Sequence, residues 1–114
     1  MTGLRVTSEF WVSALRKSLD SYGIPIFVIQ RGDKRAGAII IRISDLQGRS
    51  KVFTQAPSMD GVRQWVELAN GTDIEIEKVL QKQKEFDGDV WIIEVEEVTG
   101  FDFANKFLFL SGEN

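Results

Sequence analysis

Two short runs constrain this chain more than any other feature. In residues 90–95, Trp91, Ile93 and Val95 alternate with Val90, Ile92 and Glu94. In residues 37–44, Ile39, Ile41 and Ile43 alternate with Ala38, Ile40 and Arg42. A period of two is the signature of a strand, because successive side chains leave opposite faces. Trp91, Ile93 and Val95 must therefore face a core. The other face of the last run starts apolar at Val90 and Ile92, then turns acidic at Glu94 and Glu96.

The rest of the chain supplies the partners such strands need. Residues 7–22 read as a helix with Trp11, Leu15, Leu19 and Tyr22 on one stripe. Arg16, Lys17, Asp20 and Ser21 take its polar side. Thr7 or Ser8 can cap its start, and Gly23 with Pro25 ends it. Residues 26–31 and 50–55 are further strands. Glycine-containing turns at 32–35 and 45–49 predict that the first three strands form an antiparallel meander. Residues 56–64 read as a loop, 65–68 as a short fourth strand and Asn70-Gly71 as a turn. Thr72-x-x-Glu75 is a capping box opening a second helix that runs to about residue 86. Its narrow apolar stripe holds Ile76, Val79, Leu80 and Gln83. Asp87-Gly88-Asp89 turns the chain into the last strand. The expected fold is α+β, a mostly antiparallel sheet of four to five strands with two helices packed on one face. The expected core is Trp11, Leu15, Leu19, Ile39, Ile41, Ile43, Phe53, Val79, Leu80, Trp91, Ile93 and Val95.

With 114 residues, two prolines and no linker or repeat, the sequence reads as a single domain, 1–114. It holds neither cysteine nor histidine. That excludes disulfides, Cys/His zinc sites, cysteine nucleophiles and a Ser-His-Asp triad. No stretch is apolar enough to predict a membrane helix, and residues 1–6 do not resemble a secretion signal, so a cytoplasmic location is expected. Charge is divided: residues 1–57 carry nine Lys and Arg against four Asp and Glu, and residues 58–114 carry five against thirteen. The two halves are expected to interleave in one sheet and neutralise each other. An overall pI near 5.0, with no interleaving of aromatic and basic residues, argues against nucleic-acid binding.

Three stretches resemble a family of short bacterial proteins known only as a domain of unknown function. They are Val6-Thr-Ser-Glu-Phe-Trp-Val-Ser-Ala-Leu15, Arg31-Gly-Asp-Lys-Arg-Ala-Gly-Ala-Ile-Ile40 and Phe86-Asp-Gly-Asp-Val-Trp-Ile-Ile-Glu-Val-Glu96. The family pattern reads Leu-Thr-Ser-x-x-Trp-Val-Ser-Ala, then Arg-Gly-Asp followed by Ala-Gly, then Asp-Pro-Asp-Leu-Trp-Val-Val-Glu-Val-Glu. Gly88 stands where the family usually has proline, and the tail after Thr99 is more aromatic than the pattern. The resemblance implies no activity and carries over no catalytic residue.

Four groups of residues invite a functional reading. Asp87, Asp89 and Glu94, with Glu96, offer oxygen ligands to Mg²⁺ or Ca²⁺, although their spacing is not that of an EF-hand and suits a turn and a solvated strand face equally. Arg31, Asp33, Lys34 and Arg35 form a Gly-containing basic turn that could contact an anion. Arg42 with Lys51 is expected to face Glu94 and Glu96 across the sheet, as a cross-strand charge pair of small energetic weight. Trp11 and Trp91 belong to apolar stripes, which leaves Trp65 as the tryptophan free to contact a ligand or partner. Finally, Phe101, Phe103, Phe107, Leu108, Phe109 and Leu110 crowd the last residues. The segment 99–114 is expected to pack on the core or on a partner, including a second copy in a homodimer. Phe107 and Phe109 are its binding candidates. Together these features favour a non-catalytic protein-binding or adaptor module that needs no cofactor and touches neither nucleic acid nor membrane. The alternatives are a small carboxylate enzyme dependent on a divalent metal such as Mg²⁺, and an anion-binding protein.

Overall fold

The computed structural model describes residues 7–56 and 64–97. Helix α1 spans Ser8–Asp20, followed by β1 (Ile26–Gln30), β2 (Ile39–Ser44), β3 (Arg49–Ala56), β4 (Gln64–Thr72), helix α2 (Asp73–Phe86) and β5 (Trp91–Glu96). The five strands form one sheet in the order β1-β5-β2-β3-β4. The α+β class and the mostly antiparallel sheet are as the sequence implies.

The meander is not. β1 and β2 do not pair; β5 lies between them, antiparallel to β1 and parallel to β2. Two physical facts account for this. A helix links β4 to β5, which brings the chain back so that β5 runs in the direction of β4 and β2. In addition, β5 is apolar on both sides over Trp91, Ile92 and Ile93, so a central position covers it on both faces. The segment 31–38 is therefore a crossing over the start of β5 rather than a hairpin turn.

The helices also differ from expectation: they take opposite faces. Val12, Leu15 and Leu19 of α1 pack with Ile39, Ile41, Ile43, Phe53, Trp65, Trp91, Ile93 and Val95. Ile76 and Leu80 of α2 pack with Ile40, Val52, Val90 and Ile92. The alternating residues of β2 and β5 are thus divided between two cores, and the sheet is the middle of three layers. On α1 the buried stripe is Val12, Leu15 and Leu19 with Ser8, while Trp11 is half-buried and Tyr22, just past the helix, is exposed; on α2, Val79 is half-buried.

Both helix starts follow the sequence. The Thr7 hydroxyl accepts from the Phe10 N–H, and Thr72 with Glu75 completes the capping box. Gly23, at φ +71°, closes α1 in a conformation that favours glycine. β4 is longer than expected, nine residues. Asn70 and Gly71 continue the strand instead of turning, opposite Lys51 and Ser50. A Cβ at Gly71 would stand 2.6 Å from the Glu75 carboxylate, so a larger residue there would displace that carboxylate from the capping box.

Candidate binding groove

The crossing segment 31–38 fixes how α1 and β1 meet. The Asp33 carboxylate accepts from the Arg35 and Ala36 N–H groups, at 3.1 and 2.9 Å. The Asp33 N–H donates to the Asp89 carbonyl, and the Asp33 carbonyl accepts from the Trp91 indole at 2.7 Å. A Cβ at Gly32 would stand 2.7 Å from the Trp91 nitrogen, and one at Gly37 2.6 Å from the Asp89 carbonyl oxygen. Both glycines are therefore demanded by close backbone approach. The Ser8 and Glu9 N–H groups donate to the Arg35 and Lys34 carbonyls, and the buried Ser8 hydroxyl donates to the Gly37 carbonyl at 2.6 Å. With the Thr7 hydroxyl accepting from Phe10, the Ser8, Glu9 and Phe10 amides at the helix start are all occupied, and the Trp11 N–H makes the first in-helix bond, to the Thr7 carbonyl.

That geometry separates the basic cluster read from the sequence. Asp33, Lys34 and Arg35 spend their main-chain or carboxylate groups on the crossing and on α1. Arg31 instead turns towards α1. Its guanidinium donates to Glu9 at 3.0 Å and lies 5.2 Å from the centre of the Trp91 ring.

Arg31 thereby lines a groove between α1 and β1. One end, about 540 Å³, is walled by Phe10, Ser13, Arg16, Val28, Arg31 and Trp91. The other, about 600 Å³, continues past Ser13 and Arg16 to Lys17, Asp20, Ile24 and Pro25. Ser13 and Arg16 belong to both, so the two ends run together along α1. Arg16 makes no ion pair among the described residues. Phe10 is 61% exposed at the rim. One wall is β1, an outermost strand of the sheet, with a bulge between Val28 and Gln30.

The remaining candidates lie elsewhere. Trp65 is 6% exposed and its ring stands 5.2 Å from that of Trp11, tilted by 37°, closing the α1 core. Asp87 caps its own turn by accepting from the Asp89 N–H, while Glu94 sits midway along β5. Among the described residues no three acidic side chains gather closely enough to hold a metal ion. Phe107 and Phe109 lie outside the described residues.

Arg42 and Lys51 do not share a face. Lys51 pairs with Ile43 on the α1 side and lies 3.8 Å from Glu67. Arg42 points the other way and is 8% exposed. It donates to Ser50 at 3.1 Å, to Asp73 at 3.1 Å and to Glu77. Burial alone would lower the Arg42 pKa, but the bonds to Glu77 and Asp73 outweigh it and the value is raised. Burial lifts the neighbouring Glu94 carboxyl above the ordinary carboxylate range; Arg42 draws it back, and Glu96, Glu77 and Asp73 push it further up. The residues missed by the sequence reading are Ser13 and Arg16. They sit on what reads as a solvated helix face, and nothing in the sequence shows that an edge strand comes alongside.

Comparison with known proteins matches these features to a family. Residues 6–105 fit the model described as "Protein of unknown function (DUF1491)". The chain belongs to the DUF1491 family. A crystal structure of a DUF1491 protein from Caulobacter crescentus CB15 is similar at 27% identity, with a TM-score of 0.76 over 82% of this chain and 90% of that one. The solution structure of protein Atu0922 from A. tumefaciens is similar at 30% identity, with a TM-score of 0.71 over 82% and 87% of the two chains. No curated protein matches. For this DUF1491 chain the structure explains most of the residues that carry the resemblance. Thr7 caps, Ser8 and Asp33 tie the crossing, Gly32 and Gly37 permit it, and Trp91 braces it. Ser13 makes no such bond among the described residues and faces the groove. Among the described residues no helix is long and apolar enough to cross a membrane.

Proposed function

We propose that this DUF1491 protein is a non-catalytic protein-binding module of the bacterial cytoplasm, and that its partner lays an extended acidic segment into the α1–β1 groove. One observation carries the reading: a continuous groove, bearing Arg16, Lys17 and Arg31, runs beside an edge strand. An edge strand offers unpaired main-chain groups to an added strand, and a flanking helix supplies the side-chain contacts that select it. Glu9 and Asp20 also line the groove, so cations exceed acids there by one. Ile24, Val28 and the exposed Phe10 give apolar footing between the charges. The bulge after Val28 keeps the added ladder short.

Peptides selected from a random displayed library should alternate apolar and acidic residues. Reversing Arg16 and Lys17 together to glutamate should weaken them at least tenfold, about 1.4 kcal/mol, with the fold intact by circular dichroism. Binders without acidic residues, or binding indifferent to the reversal, would refute the assignment.

A further inference from the structure

The α1–β1 groove carries its charge unevenly. Arg16 lies where its two ends meet, and Lys17 lines the end beside Pro25. Neither makes an ion pair among the described residues. Arg31, at the other end, is already answered. Glu9 accepts from its guanidinium at 3.0 Å, and the guanidinium stands 5.2 Å from the centre of the Trp91 ring. The fold sets both of these partners. The Glu9 N–H donates to the Lys34 carbonyl and the Trp91 indole donates to the Asp33 carbonyl, so the crossing segment holds them on either side of Arg31.

Arg31 and Glu9 both reach solvent, and a pair of that kind adds little to stability. It does decide what can approach. A second carboxylate brought to Arg31 would meet Glu9 beside it, and like charges brought together at an interface reject the wrong partner. The wall around the pair is otherwise apolar, with Phe10 and Val28 on its two sides. Phe10 precedes Arg16 and Lys17 by six and seven residues of helix, roughly 10 Å along its axis. An extended segment covers that length in about three residues. Side chains on one side of such a segment recur every second residue.

We propose that the groove reads its partner in two halves, an inference that rests on the peptide-binding reading and narrows it. Arg16 and Lys17 take the acidic residues. Glu9 bars acid from the other end, so the side chain seated against Phe10 and Val28 is apolar and lies two or four residues from the nearest acid. Arg31 holds Glu9 in place and is not itself the anion reader.

The test takes a peptide selected on the full chain and remakes it with glutamate at each position in turn. Each peptide is titrated against the native chain, Glu9→Gln, Glu9→Asp and Arg16→Gln. On the native chain, one apolar position should lose at least tenfold in affinity on becoming glutamate. Glu9→Gln should cut that loss to threefold or less and leave the losses at other positions as they were. Glu9→Asp keeps the charge and should keep the loss. Arg16→Gln should weaken the unmodified peptide several-fold without relieving that position. A damaged helix start would weaken every peptide alike and relieve none. If Glu9→Gln relieves no position, or if glutamate at every apolar position binds the native chain as well as the original residue, the division into halves is overturned while peptide binding stands. If the native chain selects no peptide, the peptide-binding reading falls and takes this inference with it.

Discussion

The two faces of the sheet are built from the same strands by different means. On the α1 side, Ile39, Ile41, Ile43, Trp91, Ile93 and Val95 meet Val12, Leu15 and Leu19, and the tilted Trp11–Trp65 pair closes the end. On the α2 side, Ile40, Val52 and Ile92 make a smaller apolar cluster that gives way to Arg42, Ser44, Ser50 and Glu94. An apolar face is held by area removed from water and by packing. A face with a buried guanidinium is held only if each of its donors is met, because an unpaired buried charge costs more than the pair contributes. Here Ser50, Asp73 and Glu77 meet Arg42 from β3 and α2. The difference teaches that α2 is anchored at its start by charge and at its middle by Ile76 and Leu80, whereas α1 is anchored by shape.

The largest effect should come from the α1 side. Trp91→Ala removes a side chain that is 1% exposed, together with its bond to the Asp33 carbonyl. A loss of about 3–5 kcal/mol in urea denaturation is expected. The crossing 31–38 should loosen with it, visible as faster amide exchange at Ser8 and Glu9. A loss below about 1 kcal/mol would mean that the α1 core is not the main support.

A smaller effect is expected on the other side. Arg42→Met keeps the length and removes the donors, leaving the bonded carboxylates Asp73 and Glu77, and nearby Glu94, without their cation. About 2 kcal/mol should be lost, as for hydrogen bonds to charged groups. Since Asp73 and Glu77 are substantially exposed, water recovers part of their solvation and holds the figure below that for a fully buried pair. Lys51→Ala, which breaks the 3.8 Å pair with the half-exposed Glu67, should cost less than about 1 kcal/mol. Equal costs for Arg42 and Lys51 would erase the distinction between a buried network and a solvated pair.

The smallest effect is one of pH. Glu94 holds its proton more tightly folded than unfolded, because its folded pKa is raised above the ordinary 4.5. Between 4.5 and that higher value the native state keeps a proton the unfolded chain has released, so its contribution to stability is present at low pH and lost as pH rises through the folded value. Glu94→Gln should therefore raise the melting temperature slightly at neutral pH, by a margin that fades as pH falls to 4.5. A margin that does not change with pH would show that packing rather than ionisation sets it.

Element types and caps were legible in the sequence because they depend on local chemistry. The alternation at Ile39–Ser44, the Thr72–Glu75 box and the Gly23 stop all act within a few residues. The order of the strands was not, because a glycine-rich segment such as 31–38 looks the same whether it turns back on its neighbour or crosses an intruding strand. What decides between them is the carbonyl of Asp89, more than fifty residues away. The placement of α2 shared this difficulty: Ile40 and Ile92 read as the start of a solvated face until a helix is known to lie on it. The groove was hidden for the same reason, since Arg16 becomes a wall only when β1 lies beside α1.

The central claim is that an extended acidic segment binds between α1 and β1. It is tested most directly by titrating the isotope-labelled chain with a selected peptide and following every backbone amide by NMR. Shifts are expected at Ser13, Arg16, Lys17 and residues 26–30, with β1 amides newly protected from exchange as the peptide joins the sheet. Shifts gathered instead on β4 or α2, with β1 exchanging as before, would contradict it.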